Sequence, residues 1–237
     1  MNIIETKQVR ESLRMAMAVV DANETGPIGQ IIGQPGTGKT FISHYLVEKA
    51  DAFRVCCHQG INNKLLVSRI YEGLGMATLT GSAATLLSRV EHLVQGRLMA
   101  VDEANHLTWR QLELLRYLAD EKGMSLILLG TDLLDRPFRD GRTSILLAQL
   151  SSRIGAKRVR LEPFTSLENV SAYQLIPEFG KVNKTTAKQF YKASSGYWRD
   201  ARELVSACRR VMKTQNIETL TVDVIQAASS SMKPRGK

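Results

Sequence analysis

A short apolar run, Ile28-Gly29-Gln30-Ile31-Ile32, passes without a spacer into Gly33-Gln34-Pro35-Gly36-Thr37-Gly38-Lys39-Thr40. No other stretch limits the possible folds so tightly. Glycines at 33, 36 and 38 let the backbone turn sharply and bring N–H groups to converge on one point, which makes an anion site. Residues 41–49 then have a helical pattern, and the positive end of that helix faces the same point. Lys39 supplies a point charge, and the Thr40 hydroxyl suits a hard cation such as Mg²⁺. Each required position of the pattern G-x-x-x-x-G-K-[ST] is filled, between a strand and a helix, so a chance glycine-rich turn does not account for it. Gly33, Gln34, Pro35, Gly36, Thr37, Gly38, Lys39 and Thr40 are the candidate phosphate-binding residues.

The remaining pattern supplies the scaffold. Helical spacing of Val9, Leu13, Ala16, Met17 and Val20 predicts a helix over 5–20, broken at 23–27. Apolar runs predict strands at 28–32, 53–57, 98–101, 126–129 and 158–161, separated by helices at 41–49, 64–74, 83–94 and 109–119. Such alternation implies an α/β fold, a parallel five-stranded sheet with helices on both faces. After Pro163 only helical patterns follow, at 167–175, 185–193, 198–213 and 222–228. The expected organisation is a nucleotide-binding α/β domain over 1–162 and a small helical domain over 163–237, with a fraying polar tail at 229–237.

Two acids complete the chemistry of a nucleoside triphosphatase. Asp102 ends the third strand, where a carboxylate can hold Mg²⁺ through its water shell, and Glu103 beside it can orient and deprotonate an attacking water. An acidic pair at a strand end is weak alone; about 60 residues after a phosphate loop it is strong. Thr131, at the tip of the fourth strand, either senses the terminal phosphate or caps the next helix. Hydrolysis also needs positive charge beyond Lys39 and the metal. Arg153, following a helix, is the first candidate, with Arg139 and Arg142 as competitors in a loop, and Arg199 can reach nucleotide from the helical domain. No guanine-reading N-K-x-D is present, since Asn183-Lys184 continues as Thr185-Thr186, which favours ATP.

Charge and composition narrow the partners. The formal net charge is +9, and from Glu162 onward 12 basic residues face 7 acidic ones; such a surplus points to an anionic partner, most often nucleic acid. No apolar run reaches the roughly 20 residues of a membrane span, and the N-terminus lacks a secretion signal. The expected location is therefore cytoplasmic, away from membranes. Cys56, Cys57 and Cys208 have no metal-ligand spacing and read as buried, reduced thiols.

Together the phosphate loop, Val101-Asp102-Glu103-Ala104, Leu129-Gly130-Thr131, Leu150-Ser151-Ser152-Arg153 and Gly196-Tyr197-Trp198-Arg199 resemble the AAA+ ATPases. Within them the chain is most similar to the transposition ATPases, the B protein of Mu-like phages and related ATPase subunits of bacterial transposons. The resemblance implies an AAA+ sheet with an all-α lid. It makes Asp102 the metal acid, Glu103 the catalytic acid, Thr131 the first sensor, Arg153 a finger acting on a neighbouring subunit's nucleotide and Arg199 the second sensor. It further implies ATP and Mg²⁺, a homo-oligomer in ring or helical-filament form on double-stranded DNA, target-DNA selection and activation of a transposase. The Mu protein has a helix-turn-helix region before its core; about 28 residues precede the first strand here, so an added DNA-reading domain is not expected.

DNA contact then falls to the core or lid. Lys184, Lys188 and Lys192 recur every four residues and form one ridge on a helix; Arg202, Arg209, Arg210 and Lys213 lie on the polar arc of the next. Lys64 and Arg69, after the second strand, are a second candidate, which the resemblance favours because that region often faces the central channel. Either stripe can equally be a solvated helix face. A rival reading is an ATPase that loads a replicative helicase onto its partner. A membrane-associated secretion ATPase and a non-hydrolysing scaffold fit less well, given no anchoring run and an intact Glu103.

Overall fold

Every predicted strand forms. A computed structural model describes residues 4–22, 27–77 and 81–232; most of the expected break at 23–27 and the end of the 229–237 tail lie outside them. The strands are β1 (Ile28–Gly33), β2 (Phe53–Cys56), β3 (Leu98–Asp102), β4 (Ser125–Gly130) and β5 (Arg158–Leu161). They form one parallel sheet of order β2-β3-β4-β1-β5. The three central strands are buried at every residue, as continuous apolar runs require when helices cover both faces. The edge strands carry Arg54 on β2 and Arg158 and Arg160 on β5, and the charged residue of the central strands is Asp102, at the C-terminal end of β3.

The helices of this unit are α1 (Lys7–Asp21), α2 (Lys39–Ala50), α3 (Asn63–Gly73), α4 (Ala83–Leu93) and α5 (Trp109–Lys122). Leu112, Leu115 and Leu118 of α5 are fully buried, and a reciprocal Thr108–Gln111 capping box starts that helix. In α1 the buried face is Val9, Ser12, Met15, Ala16 and Val19, one step round from the predicted face; Met17 is exposed. Two features cause the rotation. The Ser12 hydroxyl donates to Gln8 O within the helix and so can be buried. A Cβ at Gly29 would lie 2.3 Å from Met15 Sδ, so glycine there admits Met15 against β1. Between β4 and β5 the chain forms a 3₁₀ turn (Asp132–Asp135) and the short helices α6 (Arg136–Arg139), α7 (Gly141–Leu146) and α8 (Ala148–Ile154). Arg139 and Arg142 therefore lie on helices, not in the expected loop.

The residues group into two units: Lys7–Gln34 with Lys39–Leu161, and Glu162–Lys237 with Met1–Thr6 and the loop residues Pro35–Gly38. The second unit is helical, with α9 (Leu167–Val170), α10 (Ile176–Phe179), α11 (Lys184–Ser194), α12 (Trp198–Gln215) and α13 (Val222–Ser230). Phe190, Leu204, Cys208 and Ile225 are fully buried at its core. The predicted single helix 167–175 is instead α9, a π turn at Ser171–Leu175 and α10. Pro177 lacks an N–H and its ring would crowd the carbonyl four residues back. The wider turn, with Ile176 N–H donating to Ser171 O, relieves that conflict.

Gly196 closes this unit. Its φ is +74°, and an added Cβ would lie 2.0 Å from Phe164 O, while Phe164 N–H donates to Gly196 O at 3.1 Å. Gly123 also has a positive φ but its nearest neighbour would be 3.8 Å away. Gly196→Ala is expected to cost more than about 2 kcal/mol, from backbone collision added to left-handed strain, against about 1 kcal/mol for Gly123→Ala. Urea unfolding of both variants checks the difference.

Candidate functional site

A parallel sheet brings the C-terminal ends of its strands to one edge, where open α/β folds place their ligand sites. Pairing of Ile32 with Gly130, and of Cys56 with Asp102, sets Gly33, Asp102 and Thr131 along that edge. The loop after β1 turns through left-handed glycines, with φ of +88° at Gly36 and +105° at Gly38. At Gly38 the backbone angle, not room, demands glycine, since a Cβ would make only a 3.5 Å contact with Trp198. Lys39 is 5% exposed, and its ammonium donates to Gly33 O at 2.8 Å and Gln34 O at 3.0 Å. The loop's own carbonyls thus satisfy a buried cation at the start of α2. Thr40 is exposed on the next position.

Asp102 is 1% exposed, and both its oxygens are engaged. Oδ1 accepts from Glu103 N–H at 3.0 Å. Oδ2 accepts from Arg54 Nη2 at 2.6 Å and lies 3.3 Å from Ser43 Oγ. Ser43 joins three elements, because its hydroxyl also lies 2.8 Å from Thr40 O and accepts from Arg54 Nε at 2.8 Å. Asp102 is thereby tied to the first turn of α2. Removing one partner from a pair this buried costs about 3–5 kcal/mol. Neither Arg54 nor Ser43 was singled out by sequence reasoning; the usable signal was a charged residue inside the apolar strand Phe53-Arg54-Val55-Cys56.

Glu103 sits in the left-handed region, φ +56° and ψ +36°, a conformation costing a non-glycine residue about 1–2 kcal/mol. It is half-buried, directly after the strand end. Asn105, two residues on, accepts from Thr131 N–H at 3.0 Å through Oδ1 and so couples the ends of β3 and β4. Thr131 Oγ1 accepts from Leu133 N–H at 3.4 Å and caps the following 3₁₀ turn. Behind it, buried Gln30 of β1 donates to Asp135 Oδ1 at 3.1 Å, and Arg139 and Arg158 pair with the same carboxylate.

The arginine candidates have different fates. Arg153 lies in the last turn of α8, and its Nε donates to Asp120 of α5 at 3.0 Å. Arg139 is committed to Asp135. Arg142 is exposed and forms no ion pair among the described residues. In the helical unit, Arg199 is exposed on the first turn of α12. The N–H groups of Trp198 and Arg199 both donate to Gly36 O, at 3.0 and 3.3 Å, and cap a helix whose Tyr197 offers no side-chain cap. Lys184, Lys188 and Lys192 are exposed on α11 without ion pairs among the described residues. Lys64 is exposed, whereas Arg69 pairs with Glu72 at 3.0 Å.

Thr40 and Asp102 offer hard oxygen donors, and no three His, Cys, Asp or Glu side chains converge as a metal cage among the described residues. That sparse donor set fits Mg²⁺, which takes one or two protein oxygens and completes its shell with phosphates and water.

Residues 22–138 match the model of a family described as an AAA domain. No curated protein matches the sequence. Solved structures match over nearly the whole chain. The Aeropyrum pernix ORC2 protein, in ADPNP–ADP complexes, is 16% identical with a TM-score of 0.67, covering 97% of this chain and 69% of that one. The Thermotoga maritima RuvB Holliday junction branch migration motor is 17% identical with a TM-score of 0.60, covering 96% and 69%. A Walker-type ATPase of Pyrococcus abyssi is 14% identical with a TM-score of 0.64, covering 96% and 71%. The likeness establishes the α/β P-loop fold of the AAA+ type.

The three cysteines differ in burial. Cys56 is exposed, contrary to the expectation of buried thiols, because it points outward from edge strand β2; Cys57 and Cys208 are buried. Burial, reinforced by Cys56, Asp102 and Glu103, pushes the Cys57 thiol up to about 12, and burial pushes Cys208 up to about 11. Iodoacetamide at pH 8 is expected to modify Cys56 alone in the folded protein and all three in denaturant. Peptide mass mapping checks this; native labelling of Cys57 would contradict the buried placement.

Proposed function

We propose that this AAA-domain chain is a Mg²⁺-dependent ATPase that assembles on double-stranded DNA and acts on a transposase. The observation that carries the ATPase reading is that Ser43 of α2 lies within hydrogen-bond distance of both the Thr40 backbone carbonyl and the Asp102 carboxylate, which holds Asp102 against the first turn of α2 beside a buried Lys39. The loop amides from Gly33 to Thr40 and the α2 N-terminus would bind the β- and γ-phosphates, with Lys39 leaving its carbonyl cage to meet them. Bound through Thr40 and Asp102, Mg²⁺ would supply charge neutralisation at the phosphates. Glu103, presented by its left-handed backbone, would hold the attacking water and take its proton. Thr131 would contact the terminal phosphate, and its backbone is already fixed by Asn105. Arg153 of one copy would serve the nucleotide of the next, and Arg199 would act as the second sensor.

The DNA reading rests on the +9 charge and on the exposed Lys184, Lys188 and Lys192 ridge, which forms no ion pair among the described residues. Lys64 is the second contact; Arg69 is weakened by Glu72. Such contacts meet phosphates without reading bases. The Holliday junction motor named above has the same fold, which agrees with work on DNA. Target selection and transposase activation rest on the resemblance of the motifs to transposition ATPases.

Three experiments test these readings. Glu103→Gln is expected to bind ATP like the wild type while turnover falls at least about 100-fold; ordinary turnover would remove Glu103 as the base. Negative-stain images of duplex DNA are expected to show filaments with ATP, without sequence preference, and none with ADP. Replacing Lys184, Lys188 and Lys192 together by Ala should lower the salt slope of DNA binding by about 2–3. DNA left bare at low salt with ATP would remove the DNA-assembly reading and leave the helicase-loader one.

A further inference from the structure

The structure places a cation on the metal acid. Arg54 enters from edge strand β2 and bonds Asp102 Oδ2 at 2.6 Å while its Nε is held by Ser43 Oγ at 2.8 Å. This two-point grip fixes the guanidinium where the carboxylate most needs charge. Asp102 is 1% exposed, and a buried carboxylate without a counter-charge is strongly unfavourable. We infer that Arg54 is a positioning residue that balances Asp102 when no nucleotide is bound, so that the site does not take up a free divalent cation.

The inference rests on Asp102 as the metal acid. It adds an order of events. A divalent ion arriving alone meets a carboxylate that is already neutralised, and gains little. An ion arriving on a triphosphate brings its own oxygen ligands and the phosphates' negative charge, and no longer depends on Asp102 alone. Arg54 and the ion compete for one oxygen, while Ser43 holds Arg54 beside it. Ser43 also touches Thr40 O, so any shift of Arg54 is felt at the second donor residue of the metal.

The test titrates Mn²⁺ into nucleotide-free protein and reads free Mn²⁺ by its paramagnetic resonance signal. Arg54→Met and the polar, neutral Arg54→Gln are each expected to bind Mn²⁺ at least about tenfold more tightly than wild type. Adding Asp102→Asn to either variant should abolish the gain. Thermal unfolding supplies a second readout: both variants should melt lower than wild type and regain stability when Mn²⁺ is added, even if they are unfolded without it. Unchanged Mn²⁺ affinity, a gain that survives Asp102→Asn, or lost stability that Mn²⁺ does not restore would each overturn the inference. Wild-type protein with ATP separates the underlying reading. If Asp102→Asn leaves Mn²⁺–ATP binding intact there, Asp102 is not the metal acid; if it weakens that binding while the Arg54 variants behave like wild type, only the inference fails.

Discussion

A charged carboxylate buried to 1% exposure survives only if its neighbours replace the water it has lost. Around Asp102 that replacement comes from three directions: the backbone of Glu103, the hydroxyl of Ser43 and the guanidinium of Arg54. Each contributor belongs to a different segment, so satisfying one side chain fixes the relation of α2, β2 and β3. Glu103, which supplies the first of these bonds, has a left-handed backbone. A strained backbone position thus adjoins the buried carboxylate and donates its N–H to it.

Much of this was legible in sequence because its signals are local. Five apolar runs became five strands, and Gly36 and Gly38 have the positive φ that their spacing implied. What sequence reasoning missed depends on neighbours brought together by the sheet. Arg54 and Asp102 are 48 residues apart, and only adjacency of β2 and β3 makes them partners. Asn105 carries no signal of its own, since its role is to receive Thr131 N–H from another strand end. The rotated face of α1 depends on the absence of a side chain at Gly29, which periodicity within α1 does not contain.

The segment after β4 and the helical unit show how breakers act in context. Pro137 and Asp140-Gly141 divide what would be a loop into short helices, and these carry Arg139 and Arg142. Pro177 had a different effect: the chain widened into a π turn before it and kept going. That turn buries Gln174, whose amide donates to Gly196 O at 3.2 Å. The glycine that approaches Phe164 is thereby bound from a second side, ahead of the first turn of α12 that holds Trp198 and Arg199.

Arg153 is bonded to Asp120, and Asp120 in turn to Arg116, which also pairs with Glu113. An arginine already employed in this way cannot give its full charge to a new partner. Moving it to a neighbouring subunit's phosphate would trade one ion pair for another, and the net gain would be the difference between two comparable interactions. A subunit contact built on such an exchange is weak in both directions. It would form when a triphosphate tips the balance and come apart when the phosphate leaves, with no separate release step.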